Sequence, residues 1–375
     1  MITFIVQNET HALNFEPIIQ ELLSLGVPNK HLQTIHLDKI YGLSTYDLIS
    51  VPNKKIIELD IPHPYYRLNP FKRFLWMFKA KNHLREHVKD TQVLIFGSDG
   101  GVQRLLANFV RSQGGKIILL VDGLLHPWPE NRKRKHILKR DINNLLCRFS
   151  LNHFFPADIG HSNLDFIYVM HTVIKDILLD QGVETPISVV TLPRYEKYTR
   201  EYHNLREPKF KTNTNKCLYA TSAFKWHGLY TKAQQQQQDI ADLVCFSKKN
   251  PNWEIRVRIH PREILSDYIS QDWPCNMELS TGASPVQQDL AWASVVITSY
   301  STIAYEAELV GIPVLIYTKN FGPPHRKSFF AKNPYFYQSD NLEDIIRIQQ
   351  KPHRVRFLQS SAKQIALKIK YLYDN

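Results

Sequence analysis

The sequence of 375 residues has only four cysteines, no long apolar run and no Asp-x-Asp pair. The cysteines form neither a CxxC motif nor the dense pattern of a disulfide scaffold, so we expect a reducing compartment and no thiolate metal site. No window approaches the roughly 18 consecutive apolar residues of a membrane span, and the N-terminus lacks the features of a secretion signal. We therefore expect a cytoplasmic protein that does not span a membrane.

Positive charge is in excess, since 47 lysines and arginines face 35 aspartates and glutamates, a net charge of +12. Such an excess favours an anionic partner: a nucleotide, a phospholipid surface or a nucleic acid. We do not expect nucleic acid, because no nucleic-acid-binding motif is evident and the cations lie mainly outside the predicted strand ends. A salt-dependent affinity for DNA or RNA without nucleotide binding would reverse this view.

Short apolar runs alternate with segments of helical period, which predicts an α/β protein with parallel sheets covered by helices. The runs MITFIVQN, TQVLIFG and KIILLV read as strands of the first half, and KCLYA, WEIRVRI, SVVIT and IPVLIY as strands of the second. A polar, charged segment separates the halves. We predict one domain at 1–195, a second at 196–355, and a helix at 356–375 as a candidate to cross back to the first.

Ligands of open α/β sheets bind at the carboxyl ends of the strands. Four candidate positions follow predicted strands: Ser98-Asp99-Gly100-Gly101, Asp122-Gly123, His260-Pro261 and Ser299-Tyr300-Ser301-Thr302. Near Ser301 or Thr302 a helix begins, and its free N–H groups favour an anion. The hydroxyls of Ser299, Ser301 and Thr302 add donors, so the pattern predicts a phosphate site. The alternative is one hydroxyl that caps the helix.

His260 is the second candidate phosphate contact, because its imidazole can donate a hydrogen bond and adds charge when protonated. Pro261 stops the strand, which holds the imidazole at the edge of the sheet. The alternative is a strand-end histidine bonded to a neighbouring loop. Arg256 and Arg258 alternate with apolar residues in the same strand, so one or both are candidates for solvated charge only.

Asp122 and Asp99 are the candidate general bases, because each follows a buried strand and precedes a glycine. A base in such a position typically contributes about 10²–10⁴ in rate. Either aspartate could instead cap the following helix, and Asp99 has the stronger case for capping. We favour Asp122 as the base.

Two basic segments lie outside these strand ends. Residues 69–89 interleave cations with aromatic side chains, and residues 131–140 place six cations near one helix. Such segments suit an anionic membrane surface or a charged polymer, so peripheral contact with the inner membrane is one expectation. The alternative is a helix that packs its aromatic face on the core and leaves its lysines in water.

The spacing of the motifs resembles that of GT-B glycosyltransferases of bacterial surface-polysaccharide pathways, in particular those that take a nonulosonic acid (sialic or pseudaminic acid) or Kdo from a CMP donor. Those families carry an acidic-acidic-Gly motif, then an HP motif, then a Ser-Ser/Thr motif. The corresponding residues here are Val121-Asp122-Gly123, His260-Pro261 and Ser299 through Thr302. The similarity covers most of residues 90–320, and the first 90 residues match no motif.

The resemblance implies two Rossmann-like doubly wound domains that face a central cleft, and an inverting, metal-independent transfer without a cofactor beyond the nucleotide sugar. By analogy, His260 and the serine turn hold the CMP phosphate, and Asp122 takes the proton of the acceptor hydroxyl. Glu306 accepts hydrogen bonds from the ribose, or else is an exposed helix carboxylate. The implied acceptor is a glycan or lipid-linked glycan of capsule or lipopolysaccharide. The first acidic position of the acidic-acidic-Gly motif is Val121 in this sequence. If the base of these families were at that position, Asp99 would have to take its role.

Three other activities fit the same fold: a UDP-sugar transferase, a CDP-glycerol type glycerophosphotransferase and a sugar-nucleotide 2-epimerase. Thermal-shift screening with CMP, CDP, UDP and GDP tests which nucleotide the protein binds, because a ligand that binds only the native state stabilises it. Stabilisation by UDP but not by CMP would favour these alternatives.

Overall fold

The computed structural model describes residues 1–42, 44–58, 68–125, 127–128, 132–155, 157–206, 215–269, 273–281, 284–326, 328–349 and 361–375. The chain divides into two compact units: Met1–Glu196 with Leu358–Asn375, here called unit 1, and Lys197–Phe357, here called unit 2. Each unit contains a parallel sheet with helices between its strands. The predicted α/β class is therefore confirmed.

Unit 1 contains a seven-stranded parallel sheet in the order β3-β2-β1-β4-β5-β6-β7. Its strands are β1 (Ile2–Val6), β2 (Leu32–His36), β3 (Lys54–Ile56), β4 (Val93–Phe96), β5 (Lys116–Leu120), β6 (Phe166–Val169) and β7 (Ile187–Val189). The central strands β1 and β4 are buried along their whole length, as expected for a sheet covered on both faces. The strand order reverses between β1 and β4, which is where such sheets bind ligands.

The first seven helices are α1 (Glu9–Ser24), α2 (Asp38–Tyr41), α3 (Pro70–Val88), α4 (Gly101–Ser112), α5 (Lys133–Arg148), α6 (Thr172–Asp180) and α7 (Arg194–Arg206). Helix α1 begins directly after β1 because the Asn8 side chain accepts a hydrogen bond from the His11 N–H at 2.9 Å, which caps the helix. It ends before Gly26, whose φ of +83° is left-handed. This start places His11 beside the carboxyl end of β1.

Unit 2 contains a six-stranded parallel sheet in the order β10-β9-β8-β11-β12-β13. Its strands are β8 (Lys216–Ala220), β9 (Glu254–Arg258), β10 (Met277–Ser280), β11 (Val295–Thr298), β12 (Val314–Tyr317) and β13 (Phe336–Ser339). The remaining helices are α8 (Tyr230–Lys249), α9 (Ser266–Ile269), α10 (Val286–Trp292), α11 (Ile303–Leu309), α12 (Phe329–Lys332), α13 (Ile345–Ile348) and α14 (Ser361–Asp374). The order reverses between β8 and β11, which defines the corresponding ligand edge of unit 2.

Strand β9 corrects one reading of the sequence, in which its arginines were candidates for solvated charge. Arg256 and Arg258 both form ion pairs with the buried carboxylate of Asp289 on α10, with a 2.9 Å contact for Arg256. Arg256 also pairs with Glu278 on the neighbouring strand β10. The two arginines therefore tie α10 to the sheet.

The C-terminal helix α14 packs against α1 within unit 1, and the hydroxyl of Tyr373 lies 3.0 Å from Nδ1 of His31. The side chain of Glu196 accepts hydrogen bonds from the backbone N–H groups of Ser361 and Ala362 at the start of α14. These contacts order the beginning of α14. Across the described residues, no helix has the length and apolar character needed to cross a membrane.

Candidate active site

Asp122 lies just beyond β5, at the edge of the unit 1 sheet where β1, β4 and β5 end together. Its Oδ2 is 3.3 Å from Nε2 of His11, which lies in the first turn of α1. The two side chains differ in accessibility: His11 is 1% exposed and Asp122 is 22% exposed. A ligand can therefore reach the carboxylate but not the imidazole.

The hydrogen bond at Nδ1 determines which ring nitrogen of neutral His11 carries the hydrogen. Nδ1 accepts a hydrogen bond from the backbone N–H of Gln7 at 3.3 Å, so in the neutral ring the proton is on Nε2. Nε2 is buried and lacks an aligned hydrogen bond, and the Asp122 carboxylate is the anion beside it. The Nε2–H group therefore faces the Asp122 carboxylate at 3.3 Å, and the exposed carboxylate is the member of the pair that can accept a proton from a ligand.

Gly97, directly after β4, makes room for the imidazole. A Cβ atom at this position would lie 2.4 Å from Nε2 of His11, well inside van der Waals contact. The His11 ring thus occupies the space that a side chain at residue 97 would need, which explains the glycine at the end of this strand.

We expect Gly97→Ala to displace the His11 ring from Asp122. The overpacking should lower the free energy of unfolding by about 1–3 kcal/mol, as measured by urea denaturation, and should reduce turnover. Gly123→Ala is the matched control for stability, because a Cβ at Gly123 meets no atom within 4 Å. Equal stability of the two variants would contradict this account of Gly97.

Three polar side chains surround the same sheet edge. Oε1 of Gln7 accepts hydrogen bonds from the Ser98 hydroxyl and from Nε2 of Gln103, the latter at 2.6 Å. Nearby, the guanidinium of Arg194 donates to the backbone oxygen of Asp122 at 3.4 Å. Arg194 therefore contacts the backbone of Asp122.

Asp99 is a structural residue, which corrects its assignment as a candidate base and as a helix cap. Its side chain is fully buried and forms an ion pair with Nε of the buried Arg104 at 2.9 Å. Its carboxylate also accepts hydrogen bonds from the Ser162 hydroxyl and from the N–H of Gly160. The N-cap of α4 is Gly100, without a side-chain cap. The Asp99 carboxylate is therefore enclosed by protein groups and is not exposed to solvent.

His260 lies beyond β9, at the ligand edge of the unit 2 sheet. Its Nδ1 accepts a hydrogen bond from the N–H of Arg262 at 3.1 Å, so the neutral ring presents Nε2–H as its donor. Burial, helped by the positive charge of Arg262 and the neighbouring His227, lowers the pKa of His260 to about 4. At neutral pH the His260 ring is therefore neutral, and it offers a phosphate a hydrogen-bond donor without added charge.

The loop that carries His260 is fixed by a buried network. The hydroxyl of Thr221, after β8, accepts a hydrogen bond from the His260 N–H at 2.8 Å and donates to Glu263. Nε2 of Gln236 donates to the same carboxylate at 2.9 Å. Gln236 belongs to a run of five glutamines at 234–238 on α8, and it is buried and orients the loop.

Ser299 does not face a ligand, which corrects one member of the predicted serine turn. Its hydroxyl is buried and donates to Asp239 on α8 at 2.7 Å. Burial raises the pKa of Asp239 to about 6, while hydrogen bonds from Ser299, Asn320 and Tyr219 favour its charged form. The Ser299 hydroxyl thus connects the residue after β11 to α8.

Ser301 and Thr302 remain as candidate phosphate contacts. Ser301 is half-buried, and its Oγ accepts a long 3.4 Å hydrogen bond from the N–H of Ile303. Thr302 is exposed and is the N-cap of α11 without a side-chain cap. Glu306, the candidate ribose contact, is half-buried in the first turn of α11.

The parallel sheet brings His260 and the serine turn to the same edge of unit 2. They follow β9 and β11, and β8 lies between these two strands. Adjacent strands are about 4.8 Å apart, so the two elements are separated by roughly 10 Å, a gap that can hold a phosphate group. The loop after β8 adds the exposed ring of Trp226, with the Arg262 guanidinium 5.9 Å from it.

No cluster of three His, Cys, Asp or Glu side chains that could hold a metal ion is found within the described ranges. The hydrogen-bond donors of unit 2 at the ligand edge include His260, Ser301, Thr302 and the cation Lys232, whose Nζ lies 4.4 Å from the ring centroid of Tyr300. These donors suit an anionic ligand.

The two parallel sheets and their strand orders give the chain the GT-B fold. No family model and no curated protein matches the sequence. Among solved structures, it is similar to the UDP-GlcNAc 2-epimerase of Methanocaldococcus jannaschii, with 14% identity, a TM-score of 0.59 and 99% of each chain covered. The UDP-GlcNAc 2-epimerase of Neisseria meningitidis, bound to UDP-GlcNAc, matches with 13% identity, a TM-score of 0.59 and all of both chains covered.

A third similar structure is the glycotransferase of kitacinnamycin, with 11% identity, a TM-score of 0.57, and coverage of 99% of this chain and 94% of that one. At these identities the likeness establishes the shared fold and nothing finer. The fold accommodates both transfer and epimerisation, so the reaction has to be argued from the residues of this chain.

Proposed function

We propose that the protein is a glycosyltransferase that moves a sugar from a nucleotide donor to an acceptor hydroxyl. The observation that carries the proposal is the pair at the unit 1 sheet edge, where the accessible Asp122 carboxylate lies 3.3 Å from Nε2 of the buried His11. A positioned carboxylate within reach of a ligand is what a general base requires.

Unit 2 holds the nucleotide in this proposal. The Nε2–H of His260 and the hydroxyls of Ser301 and Thr302 donate to its phosphate, and Pro261 keeps the imidazole at the edge of the sheet. The carboxylate of Glu306 accepts hydrogen bonds from the ribose. These donors stabilise the charge that develops on the leaving phosphate, a role that can supply several kcal/mol without a cation.

The proposed step conserves atoms and charge. The acceptor hydroxyl gives its proton to Asp122 while its oxygen forms a bond to the anomeric carbon. The bond between that carbon and the phosphate oxygen breaks, and its electron pair leaves with the nucleotide. A single displacement of this kind inverts the configuration of the anomeric carbon.

For the donor we propose a CMP-linked nonulosonic acid or Kdo-type sugar, and for the acceptor a growing surface glycan or its lipid-linked form. This finer assignment rests on the resemblance of Asp122-Gly123, His260-Pro261 and Ser301-Thr302 to the motifs of CMP-sugar transferases. Ser299 no longer supports it, because its hydroxyl is directed into the interior.

A UDP-sugar enzyme, including a 2-epimerase, is the second candidate. It is favoured by the epimerase structures that match nearly the whole chain, one of them bound to UDP-GlcNAc. Epimerisation needs a base for the proton at the epimerised carbon, a role for which Asp122 is equally suited by its accessibility.

The test is a comparison of CMP, CDP, UDP and GDP by thermal shift, followed by incubation with CMP-Neu5Ac, CMP-Kdo and UDP-GlcNAc. We expect CMP to raise the melting temperature and CMP to be released from a CMP-sugar. A free nucleotide at 100 times its Kd stabilises the protein by about 2.7 kcal/mol. His260→Ala should lose the shift, whereas His83→Ala, an exposed histidine of α3, should keep it. A shift by UDP alone, with conversion of UDP-GlcNAc, would select the second candidate.

A further inference from the structure

Helix α5 has its apolar side turned to solvent. Leu138, Ile142, Leu145 and Phe149 follow one another at spacings of four, three and four residues, which places them on one stripe of the helix. All four are exposed, Leu138 by 62% and Phe149 by 67%. In an ordinary surface helix such a stripe packs on the core.

The polar side of α5 faces the protein instead. Nδ2 of the buried Asn143 donates to the backbone oxygen of His161 at 2.6 Å. His136 and Lys139 both contact the carboxylate of Asp158, at 3.0 and 3.1 Å. The helix is therefore held by polar contacts in an orientation that presents its apolar stripe outward.

Helix α3 exposes a second apolar stripe. Phe71, Phe74, Leu75 and Phe78 follow the spacing i, i+3, i+4 and i+7, and Phe71 is 70% exposed. The opposite buried stripe anchors the helix; its members are Met77, Ala80, Leu84 and Val88. The three phenylalanines of α3 are thus exposed to solvent rather than packed in the core.

The two stripes belong to one surface of unit 1. The ring of Phe74 lies 4.7 Å from that of Phe154, in the 3-10 turn Asn152–Phe154. This turn follows α5 by three residues, and the exposed Phe149 and Leu151 lie on the connection. We call α3, α5 and this turn the α3–α5 surface.

Cations border the stripes. Helix α3 carries five lysines and arginines against one glutamate, and α5 carries six against one aspartate. In α5, three consecutive cations, Lys133, Arg134 and Lys135, are exposed at the start of the helix. The ammonium group of Lys81 on α3 lies 4.8 Å from the ring centroid of the exposed Phe78.

We propose that the α3–α5 surface binds an anionic phospholipid bilayer. Apolar side chains flanked by lysine and arginine are the pattern by which helices lie in the headgroup region, with their apolar side inserted by about 5–10 Å. A second copy of the chain is disfavoured as the occupant, because two surfaces with the same positive charge repel each other. The proposal does not depend on the reaction assigned to the two sheets.

The test is flotation of the full-length protein with vesicles of equal parts phosphatidylglycerol and phosphatidylcholine, and with pure phosphatidylcholine, in 0.1 M salt. We expect binding to the anionic vesicles, and weaker binding to the neutral ones. Raising the salt to 0.5 M should release the protein, because screening shortens the reach of surface charge. Lys133→Gln, Arg134→Gln and Lys135→Gln should each lower the partition coefficient by about fivefold.

The apolar contribution is tested by the triple variant Leu138→Gln/Ile142→Gln/Leu145→Gln, in which we expect a loss of about a hundredfold or more. The matched control is Leu13→Gln/Leu179→Gln/Leu367→Gln, three exposed leucines of unit 1 outside the surface, which should bind like the wild type. Urea denaturation midpoints that match the wild type verify the fold of each variant. Undiminished flotation of the first triple variant, or its conversion from dimer to monomer in light scattering, would overturn the proposal.

Discussion

Asp122→Asn is expected to lower turnover by about 10²–10⁴ while the protein still binds the nucleotide. The amide has nearly the shape of the carboxylate but cannot accept the acceptor proton, so only the chemical step is lost. Turnover is measured as nucleotide release from the donor that the binding panel selects. The thermal shift caused by the nucleotide measures binding in the same variant.

Asp176→Asn, an exposed aspartate of α6, is the matched control and should be fully active. His11→Gln should give an intermediate rate, because a neutral amide can still donate to Asp122 but is placed differently from the imidazole. Normal turnover of Asp122→Asn would show that Asp122 is not the base. Because Asp99 is enclosed, the base would then have to be another group.

Asp99→Ala is expected to lower the free energy of unfolding by about 3–5 kcal/mol, since it leaves the guanidinium of Arg104 buried without its anion. Arg104 is 2% exposed, and its other partners are the Ser162 hydroxyl and the backbone oxygens of Phe155, Ala157 and Asp158. Urea denaturation measures the change.

The double variant Asp99→Leu/Arg104→Met removes both charges and should recover much of the lost stability, because the unpaired charge is the main cost. Asp176→Ala supplies the surface control. A variant Asp99→Ala that is as stable as the wild type, yet inactive, would restore Asp99 as a candidate base.

The sheets could be read from the sequence where their strands are buried on both faces. Strands β1, β4, β5, β8, β11 and β12 are continuous apolar runs, and each was predicted from that pattern. The sheet-edge strands β3 and β10 have the sequences KKI and MELS. Such short polar strands lack the apolar run, so only pairing with a neighbour identifies them.

The site was partly predictable. Asp122 and His260 could be predicted because each comes directly after a strand. This rule requires no knowledge of the residues that they contact. His11 was missed because its importance depends on contact with Asp122, 111 residues away, and on the space left by Gly97. A histidine three residues after an N-cap asparagine at the first strand end was the available signal.

Asp99 and Ser299 show the opposite case, since both occupy the predicted strand ends and face the interior. A residue's place after a strand fixes its backbone but not the direction of its side chain. Arg104, one turn into α4, and Asp239, on α8, turn these two side chains inward. Neither pairing can be inferred from local spacing.

The central claim is that the phosphate of a nucleotide sugar binds at the unit 2 sheet edge. It is tested most directly by a crystal structure of the Asp122→Asn variant, which leaves the donor intact, with a CMP-sugar. We predict a phosphate oxygen within hydrogen-bonding distance of Nε2 of His260, close to the hydroxyls of Ser301 and Thr302. A nucleotide bound at the amino ends of the unit 2 strands, or away from His260, would contradict the account.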